Sequence, residues 1–454
     1  MWEKRLIECV KAALRPTPIG YIWRRLHRSD RSAPPPWISK AAEQENSYLA
    51  VRERTYRQLP NVFGPPGYLA KSATLLQQRW NGPWAVKRET KNVRLFLLDR
   101  PAWVGPWMQS ELDHHFDAIL FSYTRHWQGF LEGHTDLVSY SLGLNEANRS
   151  LRYELRRARD KVKPWRAQLQ EDILTAVSKA HSERPIDLCF VYGSYIELAP
   201  ETLKAIRGIG IPVALWWLDE KHAFWGDSED TPGGQEPLIG SADVHVTNSL
   251  EAVRWYMAEG IAAYFMPQGI DTDFYSPRNV EKDIPVSFVG QAYGYRHDFI
   301  RFLREAGIPV QCFGRGWEQE ADDAIDIFRR TRINLGLGGT GWSPRLTCIK
   351  GRDFEVSSTG GLYLTTYNPE LIHLFEIGRE ILCYWNEIDC VEQIRYYLDR
   401  TEEVERIARA GRTRCLREHT WTHRFVGLLR WMGILESEPA FQDPDRTIPM
   451  KQET

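Results

Sequence analysis

Ile349-Lys350-Gly351-Arg352-Asp353-Phe354-Glu355 runs on through Val356-Ser357-Ser358-Thr359 to Gly360-Gly361 and the apolar Leu362-Tyr363-Leu364. The order is a short helix, a glycine stop and a buried strand, the unit from which a parallel sheet is built. A helix start offers unpaired N–H groups and the positive end of its dipole, and Lys350 and Arg352 add formal charge there, so a phosphate group would fit. Glu355, one turn further in, suits the paired hydroxyls of a ribose, as acidic residues do in dinucleotide folds. Together these residues describe a nucleoside diphosphate. The competing reading is a solvated helix end whose Lys350 and Arg352 pair with Asp353 and Glu355; taken alone, the seven residues favour it. Their surroundings shift the balance.

Upstream, the apolar strand Val286–Val289 runs into Gly290-Gln291-Ala292-Tyr293-Gly294-Tyr295-Arg296 and then a helix. Glycines at a strand-to-helix turn let the backbone approach a ligand closely and turn its N–H groups toward an anion. The pattern is not G-x-G-x-x-G and is weak by itself. It gains weight by opening the domain whose later helix carries Lys350, Arg352 and Glu355. Strands at 310–313, 333–337, 362–364 and 381–384 alternate with helices at 297–306, 322–331, 370–377, 387–398 and 402–418, with a further helix at 420–435. Gly336, Gly338, Gly339 and Gly341 supply a flexible loop before the key helix.

The same alternation precedes it. Strands are expected at 93–98, 118–123, 188–192, 213–218, 244–246 and 263–266, with helices at about 146–180, from Pro200, and from Leu250 to a stop at Gly260. Short apolar strands separated by helices mean a parallel sheet covered on both faces. Ligands bind at the carboxyl ends of such strands. Gly193-Ser194-Tyr195 and Asp219-Glu220-Lys221-His222 stand there, and Asp219 and His222 are candidates for acid/base work or for holding an acceptor hydroxyl. The sequence therefore divides into an extension at 1–85, a Rossmann-like domain at 86–270, a second at 271–435 with a closing helix, and a disordered tail at 436–454.

The 454 residues suffice for two or three cores. A net charge of -2, from 58 basic and 60 acidic residues, gives no field that argues for nucleic acid. The seven cysteines show no C-x-x-C spacing, which excludes a zinc cluster of that kind and suggests a reduced, cytosolic setting. No apolar run is long enough to span a bilayer. Residues 1–31 hold eight Lys/Arg against three Asp/Glu. This basic amphipathic stretch, with Trp2 and Trp23, could lie on an anionic membrane surface; the preferred reading is an extension packed on its own protein or on a second subunit of a homo-oligomer.

Two similar domains with phosphate-type features confined to the second resemble the GT-B glycosyltransferases, and specifically the CgeB-type group. The resemblance rests on Phe288-Val289-Gly290 with Arg296, on the 349–355 stretch with Gly360-Gly361, and on Tyr367-Asn368-Pro369-Glu370-Leu371. It continues through Leu374-Phe375, Gly378-Arg379-Glu380, Ile394-Arg395-Tyr396-Tyr397-Leu398 and His419-Thr420-Trp421. It implies an α/β fold of two doubly wound Rossmann-like domains facing a cleft, and transfer of a sugar from a nucleotide-diphosphate donor, a UDP-sugar first, to an acceptor it does not identify. It also implies that Lys350 and Arg352 neutralise the leaving diphosphate, that Glu355 holds the ribose, that Gly290 and Gly294 lie against the pyrophosphate and that Gly360 and Gly361 stand near the sugar. Tyr293, Arg296 and Asn368 complete the donor side. The wider retaining group brackets its donor with two glutamates, yet the position eight before Glu355 is Thr347, a departure that puts contact with the sugar hydroxyls in doubt. No cofactor or metal is expected, because cations already stand where a divalent ion would act and the Asp271-Thr272-Asp273 pair lies in the connector. A nucleotide-sugar epimerase and a non-catalytic scaffold are the alternative readings.

Overall fold

The computed structural model describes residues 37–59, 64–79, 86–99, 105–123, 125–126, 129, 163–195, 197–218, 220–224, 235–321 and 323–436. The basic stretch 1–31 and the tail beyond residue 436 lie outside them. The chain divides into two compact units: residues 51–271 with 421 onward, and residues up to 50 with 272–420.

The first unit is built on six parallel strands, β1 (Arg94–Asp99), β2 (Asp117–Ser122), β3 (Leu188–Tyr192), β4 (Val213–Trp217), β5 (Val244–Thr247) and β6 (Ala263–Phe265), in the order β2-β1-β3-β4-β5-β6. Alternate side chains of each strand feed two cores. Leu95 and Leu97 of β1 face one and Phe96 and Leu98 the other, as a strand period of two requires. The helices of this unit are the latter part of α1 (Trp37–Gln58), then α2 (Gly64–Arg79), α3 (Gly105–Asp113), α4 (Lys163–Glu183), α5 (Pro200–Gly208), α6 (Glu220–Ala223) and α7 (Leu250–Ala258). Trp165, Leu169, Ile173 and Val177 of α4, each four residues after the last, bury one helical stripe on the second core.

The second unit holds β7 (Ile284–Val289), β8 (Val310–Phe313), β9 (Thr331–Leu335), β10 (Leu362–Thr366) and β11 (Leu382–Tyr384), all parallel, in the order β11-β10-β9-β7-β8. Its helices are α8 (Arg296–Glu305), α9 (Ala324–Arg330), α10 (Arg352–Ser358), α11 (Glu387–Leu398) and α12 (Thr401–Glu418). α8, α11 and α12 cover one face of the sheet through Phe299, Ile300, Leu303, Ile394 and Ile407. α9 and α10 contribute Ile327, Phe328 and Val356 to the core on the other. These are two doubly wound, Rossmann-like parallel sheets of the α/β class.

Two elements differ from the sequence reading. Residues 370–377 are not a helix: a single 3-10 turn at Pro369–His373 follows the Asn368 cap. The carbonyl of Leu374, which would carry the helix onward, instead accepts hydrogen bonds from Arg414 Nε and His419 Nε2, each at 2.9 Å. The closing helix α13 (Trp421–Met432), placed by the sequence division with the second domain, packs on the first sheet. Trp421, Phe425, Leu428 and Leu429 join the core of Leu95, Phe190 and Trp216, and Gly269 leaves room for the Trp421 backbone, where an added Cβ would sit 2.7 Å away.

Candidate active site

In both sheets the strand order reverses between the first and third strands while every strand stays parallel, so ligands are expected at the carboxyl ends there. In the second unit the switch lies between β7 and β9. From β7 springs the loop Gly290–Arg296, and from β9 the long loop 336–351 that leads to α10.

The β9 loop folds back on itself. Cys348 N–H donates to the carbonyl of Gly338 at 3.3 Å and Thr340 N–H to that of Leu346 at 2.7 Å, leaving residues 341–345 as a tip. Tyr295 Oη, from the β7 loop, accepts the Gly339 N–H at 3.1 Å, and an added Cβ at Gly339 would collide with that oxygen at 2.6 Å. Glycine is thus required by close approach. Gly294 has φ +58°, a left-handed backbone that brings it against Trp342. The ring of Tyr293 meets Trp342 edge-to-face at 5.9 Å, and the Arg296 guanidinium stacks over Tyr293 at 4.2 Å. Arg296 Nη1 donates to the Gln291 carbonyl at 3.0 Å, while its buried Nε has no hydrogen-bond partner among the described residues. Gly290 follows β7 directly, its N–H donating to the Phe313 carbonyl at 2.9 Å and its carbonyl packed against Gly314.

Lys350 lies at the base of the β9 loop. Its Nζ is 3.5 Å from Thr340 Oγ1, and its backbone N–H donates to Asp353 Oδ2 at 2.7 Å. The Gly339 N–H to Tyr295 Oη bond ties the β9 loop to the β7 loop, so Lys350, against Thr340 of one, and Arg296, stacked on Tyr293 of the other, stand on two loops joined at the same edge; burial holds the Tyr295 phenol above its usual range. Asp353 is buried, and desolvation pushes its carboxyl up to about 7 against the opposing pull of the Lys350 N–H, the Tyr363 hydroxyl and the Lys350 charge. Arg352 pairs with Glu355 and stacks on Phe328 at 5.0 Å. Asn368, at the carboxyl end of β10, is 2% exposed; its Oδ1 caps Glu370 N–H at 3.0 Å, and its Nδ2 has no partner among the described residues.

Several sequence expectations change here. The helix start offers few unpaired N–H groups: Asp353 Oδ2 takes that of Lys350, and the Gly351 carbonyl takes those of Phe354 and Glu355. An anion at this edge would therefore meet side chains rather than a free helix start. Gly360 and Gly361 stand at the opposite end of the sheet from Asn368, because α10 runs back from the carboxyl edge and β10 starts at the amino edge. Their glycines have a packing cause. Gly360 ends α10 with φ +76°, and at Gly361 a Cβ would lie 2.7 Å from Asn334 Nδ2. Asp353 was read only as a partner for the cations; its burial depends on Tyr363 and on packing no local pattern reveals.

Of the first-sheet candidates, Asp219 lies outside the described residues, as does the side chain of His222 in α6. At the end of β3, Ser194 donates from N and Oγ to Glu197 Oε2 at 3.1 and 2.7 Å. That loop's hydroxyl is engaged in local structure.

Residues 296–430 match the model of the glycosyl transferase-like family. The enzymatic class to which the match points is glycosyl transfer. No curated protein matches the chain. Among solved structures it is similar to Anabaena HepE in complex with UDP-glucose, at 12% identity over 75% of this chain and 99% of that one, with a TM-score of 0.47. A glycosyltransferase from Rickettsia africae matches at 10% identity over 75% and 97%, TM-score 0.47. The N-terminal domain of Candida albicans trehalose-6-phosphate phosphatase matches at 12% over 77% and 99%, TM-score 0.48. No described helix is long and apolar enough to cross a membrane.

Proposed function

We propose that the protein transfers a sugar from a nucleotide-diphosphate donor to an acceptor and holds that donor at the carboxyl edge of the second sheet, around Lys350, Arg296 and Asn368. The observation that carries this reading is that Lys350 and Arg296, both inside the glycosyl transferase-like segment, stand on the two loops that the Gly339 N–H to Tyr295 Oη bond joins at the β7/β9 switch. In transfer the bond from the anomeric carbon to the β-phosphate oxygen breaks, the acceptor oxygen bonds that carbon, and the acceptor proton passes to a base. The diphosphate departs with added negative charge. Cations already in place stabilise that charge more in the transition state than in the ground state.

Lys350 and Arg352 are assigned to the diphosphate, Glu355 to the ribose, and Gly290, Tyr293 and Gly294 to close approach of the β7 loop. Arg352 and Glu355 pair with each other in the structure; a diphosphate that draws Arg352 toward itself would release Glu355 for the hydroxyls. A UDP-sugar is the first donor to try, with retention and without metal. Asp219 and His222 are assigned to the acceptor, whether polysaccharide, lipid, protein or small molecule.

The test is incubation of the full chain with radiolabelled nucleotide sugars in EDTA, without acceptor, beside thermal shifts with UDP, GDP, CDP and dTDP. Slow donor hydrolysis together with one nucleotide raising the melting temperature is the expected result. Interconversion of sugars would make the protein an epimerase. Neither turnover nor a shift would make it a scaffold, and hydrolysis seen only with added Mn²⁺ or Mg²⁺ would remove the metal-independent mechanism.

A further inference from the structure

The loop at the candidate donor site is fastened by an element outside the family-matched segment. α1 lies against the tip of the β9 loop within the second unit. Gln44 Oε1 accepts the Trp342 N–H at 2.6 Å, and Glu45 Oε1 accepts the Ser343 hydroxyl at 2.6 Å. Glu45 Oε2 pairs with Arg345 Nη1 at 3.0 Å, and Lys40 Nζ lies 4.8 Å over the Trp342 ring. Trp37, at the start of the helix, packs against the core of the second sheet. Gly341, with φ +56°, is shaped to the contact, since a Cβ there would lie 2.3 Å from Gln44 Nε2. Ser343 in turn accepts the N–H groups of Arg345 and Leu346 at 3.0 and 3.3 Å, and Leu346 closes the pair with Thr340, whose hydroxyl faces Lys350.

We infer that Gln44 and Glu45 are positioning residues for the donor site: through Trp342 and Ser343 they hold the β9 loop closed and so set the place of Lys350. The inference rests on the reading of this loop as part of that site. Two of the contacts involve a carboxylate or a backbone N–H at an incompletely exposed position, where hydrogen bonds are worth most. Arg345 itself is more than half exposed, so its pair with Glu45 contributes less.

The experiment compares the full chain with Gln44→Ala/Glu45→Ala and with the conservative Glu45→Gln. By amide hydrogen exchange, the double variant should exchange Thr340, Ser343 and Leu346 roughly tenfold faster than wild type, while β7 and β10 are unchanged. Glu45→Gln, which keeps an acceptor for Ser343, should stay near wild type. In donor hydrolysis the double variant should lose roughly tenfold in kcat/KM, yet cost less than about twofold in a Lys350→Ala background, because residues acting through Lys350 are not additive with it. Unchanged exchange at the tip, or a loss that multiplies fully with Lys350→Ala, overturns the inference. A wild-type chain that turns over no nucleotide sugar sinks the donor-site reading and the functional half of the inference with it. The exchange comparison then still decides whether α1 holds the loop.

Discussion

Replacing Asp353 with Asn removes a titrating group without changing its shape, and the structure sets the size of the effect. Burial raises the Asp353 carboxyl from 3.8 to about 7. A folded-state value above the unfolded one means the group's stabilising contribution is fully present below pH 3.8 and is lost as pH rises through about 7. At 1.36 kcal/mol per unit the full loss is about 4 kcal/mol, and the part falling between pH 5.5 and 8.5 is about 2 kcal/mol. Asp353→Asn should therefore gain about 2 kcal/mol relative to wild type across that range. The measurement is native-state exchange of the β10 amides, corrected for the intrinsic pH dependence of exchange, since a chain with two units is not assumed to unfold in one step. A difference between the two proteins that stays constant from pH 5.5 to 8.5 would refute the argument from burial. The same ionisation places a negative charge beside Lys350, so nucleotide affinity should weaken as pH rises through about 7 in wild type and stay flatter in the variant.

Lys350→Ala should lower the rate of donor cleavage about 10- to 150-fold with a smaller effect on donor KM, because a charge-assisted contact worth roughly 1.5–3 kcal/mol strengthens as the diphosphate leaves. Glu355→Gln should act mainly on donor affinity, measured by titration calorimetry, because the ribose does not change during reaction; equal small effects of both substitutions would move the donor site elsewhere. Trp421→Ala should destabilise the first unit by about 3–5 kcal/mol in a denaturant melt followed by tryptophan fluorescence, since this fully buried ring packs edge-to-face on Trp216 at 5.5 Å. A loss below about 1 kcal/mol would mean α13 is not part of that core.

What the sequence by itself determined are the features that local chemistry controls. Continuous apolar strands such as Leu188–Tyr192 and helix stops such as Gly260 and Gly307, both with positive φ, declared two parallel sheets and most element boundaries. The pairing of Arg352 with Glu355 was also visible, because residues three apart meet on any helix. Only the tertiary structure decided the rest. Residues 370–377 carry a helical pattern, but α12 takes the Leu374 carbonyl. Gly360 and Gly361 look like ligand glycines until the direction of β10 puts them at the amino edge. The closing helix joins the first sheet and α1 fastens a loop some 300 positions away in sequence. Periodicity and caps act over one or two turns of chain, whereas burial of Asp353, closure of the β9 loop and the seat of α13 are set by which distant surfaces exclude water together.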